Sequence, residues 1–257
     1  MTALTVWGAG ELGSRIGAGW HAGPVWGYTA TPARHAALAA AGIGPRTGAP
    51  LALPAESVLV LALPGHARQG EAVRQLAARG LVAPRRVVLV STTGLYGMPR
   101  GVVDETTPPD TSARAQSIAA VEAEFQAWAG ERGVIMRLGG LYGPGRGPGA
   151  ALARRGSAQP GPANRTLPLI HYDDAAAAIL AALRMAAPAP CYLAVTPPCP
   201  TRGDFYRAAY ARLGLGEPPF DAPLPHPPAR FDVSRLRRDL LPTPVFPDWH
   251  AALPSAA

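Results

Sequence analysis

The sequence predicts an α/β fold: a doubly wound parallel sheet followed by a small, irregular C-terminal subdomain. Three observations carry this expectation. Short apolar, β-branched runs alternate with helical stretches over residues 3–195. The runs are apolar almost throughout rather than every second residue, as strands covered on both faces require. Beyond Val195 the alternation stops, and proline density rises through residues 197–200 and 218–228.

Strands are expected at residues 3–7, 24–29, 57–63, 86–91, 133–138 and 191–195. Helices are expected at 11–22, 32–41, 67–79, 112–129 and 173–186. The last of these has a helix-start signal, because Asp173 and Asp174 can cap free amides and complement the helix dipole. Residues 143–168 are dense in Gly, Pro and Arg and read as a long loop or lid. Within the C-terminal quarter a single helix is expected, at 201–213. This divides the chain into a domain at 1–195 and a proline-rich cap at 196–257, packed over the carboxyl edge of the sheet.

Composition removes several function classes. The chain has 257 residues, 48% of them hydrophobic, and its mean hydropathy of +0.07 excludes general disorder. No apolar run reaches the ~18 residues of a membrane span, and no basic leader precedes the first strand, so a cytoplasmic protein is expected. All 24 basic residues are arginine. The absence of lysine rules out a Schiff-base lysine, a lysine general base and a Gly-Lys-Ser phosphate loop. The net charge is +7 and the isoelectric point is near 10.1. The arginines are nevertheless scattered, with only short pairs such as Arg85-Arg86 and Arg154-Arg155, so no nucleic-acid partner is expected. Cys191 and Cys199 form neither a disulfide framework nor a ligand cluster, the histidines are dispersed, and no metal is expected.

The strongest local signal is Gly8-Ala9-Gly10-Glu11-Leu12-Gly13, between the first strand and the first helix. Gly8 permits the tight turn, Gly10 lets a pyrophosphate approach the backbone, and Gly13 allows close helix–strand packing. The helix amides then face the phosphates, which makes the fold Rossmann-type and the ligand a dinucleotide. An NAD-preferring site places an acid ~20 residues further on, but no Asp or Glu occurs between Glu11 and Glu56. The second strand instead ends at Tyr28-Thr29-Ala30-Thr31, with Arg34 following. Thr29 and Arg34 suit a 2′-phosphate, so NADP is favoured over NAD. Arg34 as a solvated helix residue is the alternative.

Three further motifs follow in order: Ser91-Thr92-Thr93-Gly94-Leu95-Tyr96-Gly97, Arg137-Leu138-Gly139-Gly140-Leu141-Tyr142-Gly143-Pro144-Gly145-Arg146, and Ile170-His171-Tyr172-Asp173-Asp174. With the glycine fingerprint, and with a tail at Arg230–Leu236, they resemble the extended short-chain dehydrogenase/reductases, the NAD-dependent epimerase/dehydratase superfamily. That resemblance implies that Leu63, Pro64, Leu138 and Gly139 border the cofactor, that Thr92 polarises the reacting oxygen, and that Thr93, Tyr96 and Arg146 contact substrate. It also implies a Tyr–Lys pair on the helix after Thr92, yet residues 112–125 contain neither residue. In this the chain resembles the atypical branch that has lost the catalytic pair.

Each site assignment has a structural counterpart. Thr92 is either the family hydroxyl or a threonine satisfying a strand end. His171 is read first as a buried histidine bonded to nearby backbone, and second as a neutral proton relay. Two functions are expected accordingly. One is an NAD(P)-dependent oxidoreductase or epimerase-like enzyme acting on a small hydroxylated, sugar-like substrate, as a monomer or homodimer. The other is a catalytically silent NAD(P)-binding redox sensor.

Overall fold

The computed structural model describes residues 1–254. Seven parallel strands form the central sheet: β1 (Leu4–Trp7), β2 (Val25–Thr29), β3 (Gly44–Thr47), β4 (Val58–Leu61), β5 (Arg86–Thr92), β7 (Gly133–Leu138) and β10 (Cys191–Ala194). Their spatial order is β10-β7-β5-β4-β1-β2-β3, so the winding reverses between β1 and β4. A crevice outside the carboxyl ends of the strands is expected at such a reversal. Helices α1 (Glu11–Ala18), α2 (His35–Ala40) and α6 (Tyr172–Arg184) cover one face, burying Ile16, Leu38 and Ile179. Helices α3 (His66–Ala78) and α4 (Ala113–Ala129) cover the other, burying Val73, Leu76 and Phe125. Successive residues of β4 turn to opposite faces, Val58 and Val60 to the first layer, Leu59 and Leu61 to the second. This explains why the strand reads as a continuous apolar run.

The expected strands and helices are present with ends moved by a few residues, and the structure adds elements the sequence hides. Strand β3 is Gly-Pro-Arg-Thr, without an apolar residue. It lies at the sheet edge, where proline is tolerated and one neighbour suffices. The Gly143–Pro168 stretch, expected as a loop, contains helix α5 (Pro148–Arg155). Pro148 sits in the first turn and Gly156 ends the helix with φ +72°, so the residues that suggest a loop are helix punctuation. Two short parallel pairs lie outside the main sheet: β8 (Gly140–Tyr142) with β9 (Leu169–His171), and β6 (Val102–Val103) with β11 (Arg230–Phe231). Each is too short to stand out as a strand in sequence. The C-terminal stretch also holds α7 (Arg202–Arg212), started by a capping box between Thr201 and Asp204, and α8 (Ser234–Asp239). Among the described residues no helix is long and apolar enough to cross a membrane.

One polar cluster is embedded in this frame. Arg137 on β7 forks onto Glu122 of α4, with Nη2 donating to Oε2 at 2.7 Å and Nε to both oxygens at 3.1 Å. Ser91 of β5 donates to the same carboxylate at 2.5 Å. Both charged side chains are nearly enclosed, 12% and 7% exposed. Removing one partner of such a pair strands a buried charge, at a cost of about 3–5 kcal/mol. Glu122→Ala is therefore expected to lose stability on that scale in urea unfolding. The double variant Glu122→Leu/Arg137→Met should recover most of the loss. Equal losses in the two proteins would show that the pair itself is required.

Candidate functional site

The first strand–helix turn is built by its neighbours. Gly8 has φ +101°, and a Cβ there would lie 2.5 Å from the backbone of Ala62 at the end of β4. A Cβ on Gly13 would lie 2.5 Å from Gly8 O and 2.9 Å from Val6 Cγ1. The protein's own packing thus requires both glycines. Gly10 is different: a Cβ there would meet nothing closer than Gly8 O at 4.0 Å. The space above Gly10 is open at the uncapped start of α1, where the amides of Glu11, Leu12 and Gly13 lack intrahelical partners. An open cradle over helix-start amides fits a pyrophosphate.

At the far side of this turn, Thr29 Oγ1 donates to Thr31 O at 2.8 Å and faces His35 Nε2 at 3.1 Å. Arg34 is half-buried and folds back on α1, its Nη2 donating to Ser14 Oγ at 3.2 Å. Ser14 in turn donates to Gly10 O at 2.6 Å. Arg34 Nε is buried with no hydrogen-bond partner. Residues 63 and 64 follow β4, and Gln69 ties that end to β5 by donating to Leu63 O and Val90 O. Ser14, His35 and Gln69 were not foreseen, because their roles depend on contacts across several elements. Only the position of Ser14, one turn beyond Gly10, offered a local signal.

At the ends of β5 and β7 lies a cavity of about 180 Å³, bordered by Thr93, Gly94, Gly140 and residues of the C-terminal stretch. Thr92 Oγ1 accepts from Gly94 N at 3.1 Å, capping the turn that follows β5. Acceptance there leaves the hydroxyl proton free to be donated elsewhere. Gly139, with Leu138 at the end of β7, is glycine because a Cβ would press on Pro168 O and Val195 Cγ1 at 2.9 Å.

One expected substrate contact is turned elsewhere. Tyr96 is 3% exposed. Its hydroxyl donates to Asp104 O at 2.9 Å and accepts from Arg137 Nη1 at 2.8 Å, and burial pushes the phenol up to about 12. It serves the Arg137 cluster instead of the cavity. Arg146 is half exposed and lies 3.8 Å from Glu11 in the first turn of α1. Arg15 binds the same Glu11 and also Asp173, which links α1 to the start of α6.

His171 caps α6, its Nδ1 accepting from Asp173 N at 3.1 Å. The ring stacks on Phe246 with centroids 3.5 Å apart and meets Tyr142 edge-on at 5.2 Å. Asp174, fully buried, accepts from Val245 N at 2.8 Å and Phe246 N at 3.0 Å. The motif thus anchors residues 245–246 to α6, and His171 is held as the cap of that helix. Burial also raises both thiols, Cys191 to about 12 and Cys199 to about 11, which disfavours the thiolate.

Burial lowers the His171 pKa below its ordinary 6.5 against the pull of Asp173 and Asp174. Above that value the ring is neutral in both folded and unfolded chains. As pH falls through 6.5 the unfolded chain takes up the proton first, and stability drops. His171→Asn keeps a capping acceptor without a titratable ring. It should show a smaller loss of unfolding free energy between pH 7 and pH 5 than the native chain, measured by urea denaturation at both values.

No family model matches the chain. Over 139 residues it is 32% identical to Protein YeeZ of Escherichia coli (strain K12). That alignment covers 52% of this chain and 48% of YeeZ, so the chain spans about half the length of this curated relative. Among solved structures, the human epimerase family protein SDR39U1 (isoform 2), with NADPH, superposes at a TM-score of 0.76 and 19% identity, covering 98% of this chain and 97% of that one. The UDP-glucuronic acid 4-epimerase of Bacillus cereus, in complex with NAD, gives 0.74 and 16%, covering 98% and 95%. At these identities the likeness is one of fold. The chain therefore shares the fold of these dinucleotide-bound epimerase-family structures.

Proposed function

We propose that the chain is an NAD(P)-binding, epimerase/dehydratase-like oxidoreductase acting on a small hydroxylated substrate. The observation that carries this reading is the open space over Gly10, bounded by helix-start amides at the point where the sheet reverses. Gly8 and Gly13 hold that turn, Leu63 follows β4, and Leu138 ends β7. Arg34, with an unpartnered buried Nε beside Ser14, favours a dinucleotide bearing a 2′-phosphate. A bound dinucleotide supplies hydride chemistry at its nicotinamide ring. The chain's own part is to orient substrate in the cavity beside Thr93 and to donate a hydrogen bond from Thr92.

A positioned acid–base group is worth on the order of 10²–10⁴-fold in rate. Helix α4 carries neither Tyr nor Lys, so turnover of ordinary secondary alcohols should be slow. That same absence favours a second reading, a silent NAD(P)-binding sensor. Dinucleotide affinity without turnover on any hydroxylated substrate would select it.

Calorimetric titration of NAD and NADP tests the binding site. Gly10→Val places side-chain atoms where the pyrophosphate approaches, and should abolish affinity while the thermal transition survives. Retained affinity would remove the dinucleotide reading. In a separate titration Arg34→Ala should weaken NADP by about 1.5–3 kcal/mol, as for a lost charge-assisted bond, and leave NAD unchanged. Equal losses for both would return Arg34 to a structural role.

A further inference from the structure

The cavity beside Thr93 contains an arginine that the preceding reading does not use. Arg165, in the segment before β9, is the one formally charged residue among the cavity's described lining residues. Its Nη2 donates to Gly97 O at 3.2 Å, and among the described residues no carboxylate pairs with it. A guanidinium has five donors in a rigid fork, so most of this one's capacity remains open.

The backbone around it is fixed. Asn164 on one side donates to Leu224 O and His226 O at 3.0 Å and accepts from Leu224 N at 2.7 Å. Thr166 on the other side donates to Ala229 O at 2.7 Å. Both neighbours are therefore spent on pinning the C-terminal stretch across the cavity, which leaves Arg165 between them as the recognition element.

A second cation stands beside it. Arg202 N donates to Arg165 O at 2.7 Å, and Thr166 bridges Thr201. The Arg202 guanidinium stacks 4.6 Å from the Tyr206 ring centre, and its buried Nε has no partner. Among the described residues no carboxylate pairs with Arg202 either. Burial, with the charge of Arg202, lowers the Arg165 pKa. Neighbouring like charges without a counter-ion repel, and an anionic ligand relieves that repulsion.

We propose that Arg165 recognises an anionic group, carboxylate or phosphate, on a small substrate, with Arg202 reinforcing the local positive potential. The substrate's hydroxyl rests on the oxidoreductase reading above, whereas the anion site does not. A cavity of about 180 Å³ lies below the ≈ 300–1,000 Å³ of pockets for drug-sized ligands, so the occupant is a small acid or phosphate ester.

The test is calorimetry on the full chain with three probes: lactate, inorganic phosphate and, as a neutral control, propane-1,2-diol. At least one anion should bind saturably and the diol should not, and the preferred anion identifies the group. Arg165→Ala should weaken that anion by about tenfold or more, and Arg165→Lys should keep part of the affinity because it keeps the charge. Should Arg165→Ala fail to fold, Arg165→Gln takes its place, retaining a donor for Gly97 O without the charge. Anion affinity that survives the neutral variants, binding of the diol as strong as that of the anions, or no anion binding at all would overturn the proposal. Dinucleotide titrations on the same samples separate the two readings. Anion binding without dinucleotide binding removes only the oxidoreductase, and the reverse removes only the anion site.

Discussion

The contact between the Gly8 turn and the end of β4 is the constraint on which the remaining geometry depends. Gly8 N and Ala9 N both donate to Tyr28 O of β2, and Ala62 N, directly after β4, donates to Trp7 O. The turn is thereby held between two strands at the reversal of the sheet, with no room for a Cβ on Gly8. Because the chain leaves β1 this tightly, α1 starts directly over the strand ends and Gly13 packs back on the turn. The open cradle at Gly10 is the space left when both neighbouring glycines are fixed by protein packing. Arg34 and Ser14 then close its far side, and Glu11 with Arg15 and Arg146 joins it to the later loops.

A second constraint concerns charge beneath the site. Helix α4 offers the sheet Glu122 and no hydroxyl or ammonium group. Glu122, Arg137, Ser91 and Tyr96 satisfy one another almost completely, and such a cluster holds one arrangement because any other leaves a charge unpaired. It joins β5, β7 and α4 below the turn that presents Thr92 and Thr93. The protein thus has a rigid polar support beneath the turn that Thr92 caps.

The C-terminal stretch is attached by an apolar face, with Phe205, Phe231, Val233 and Leu236 buried, and by specific polar bonds. Asp174 holds residues 245 and 246, Asn164 holds 224 and 226, and Thr166 holds 229. These anchors converge on the segment between β8 and α6, so the cavity wall and the cap of α6 share one support. The order of Arg165 is a consequence of that arrangement. It projects from a segment whose two neighbouring side chains are both bonded to the stretch that crosses the cavity.

By itself the sequence determined the parallel α/β architecture, the helix starts and the glycine turn. Each depends on residues close together in the chain: continuous apolar runs, acids at 173 and 174 in the first turn of α6, where the cap itself is His171, and glycines at 8, 10 and 13. Its lack of lysine, and of tyrosine on α4, was equally plain before any folding. Tertiary structure decided the rest. Strand β3 forms only because β2 offers a partner, and α5 is visible only once Pro148 and Gly156 lie at its two ends. Tyr96 occupies a motif position that resembles a substrate contact, yet Asp104 and Arg137 draw it away. His171 is spent on the cap of α6 and on Phe246, 75 residues later in the chain. A local motif specifies which groups are available. The lowest-energy partner of each is settled only when distant segments bring their own charges, rings and backbone amides within hydrogen-bond distance.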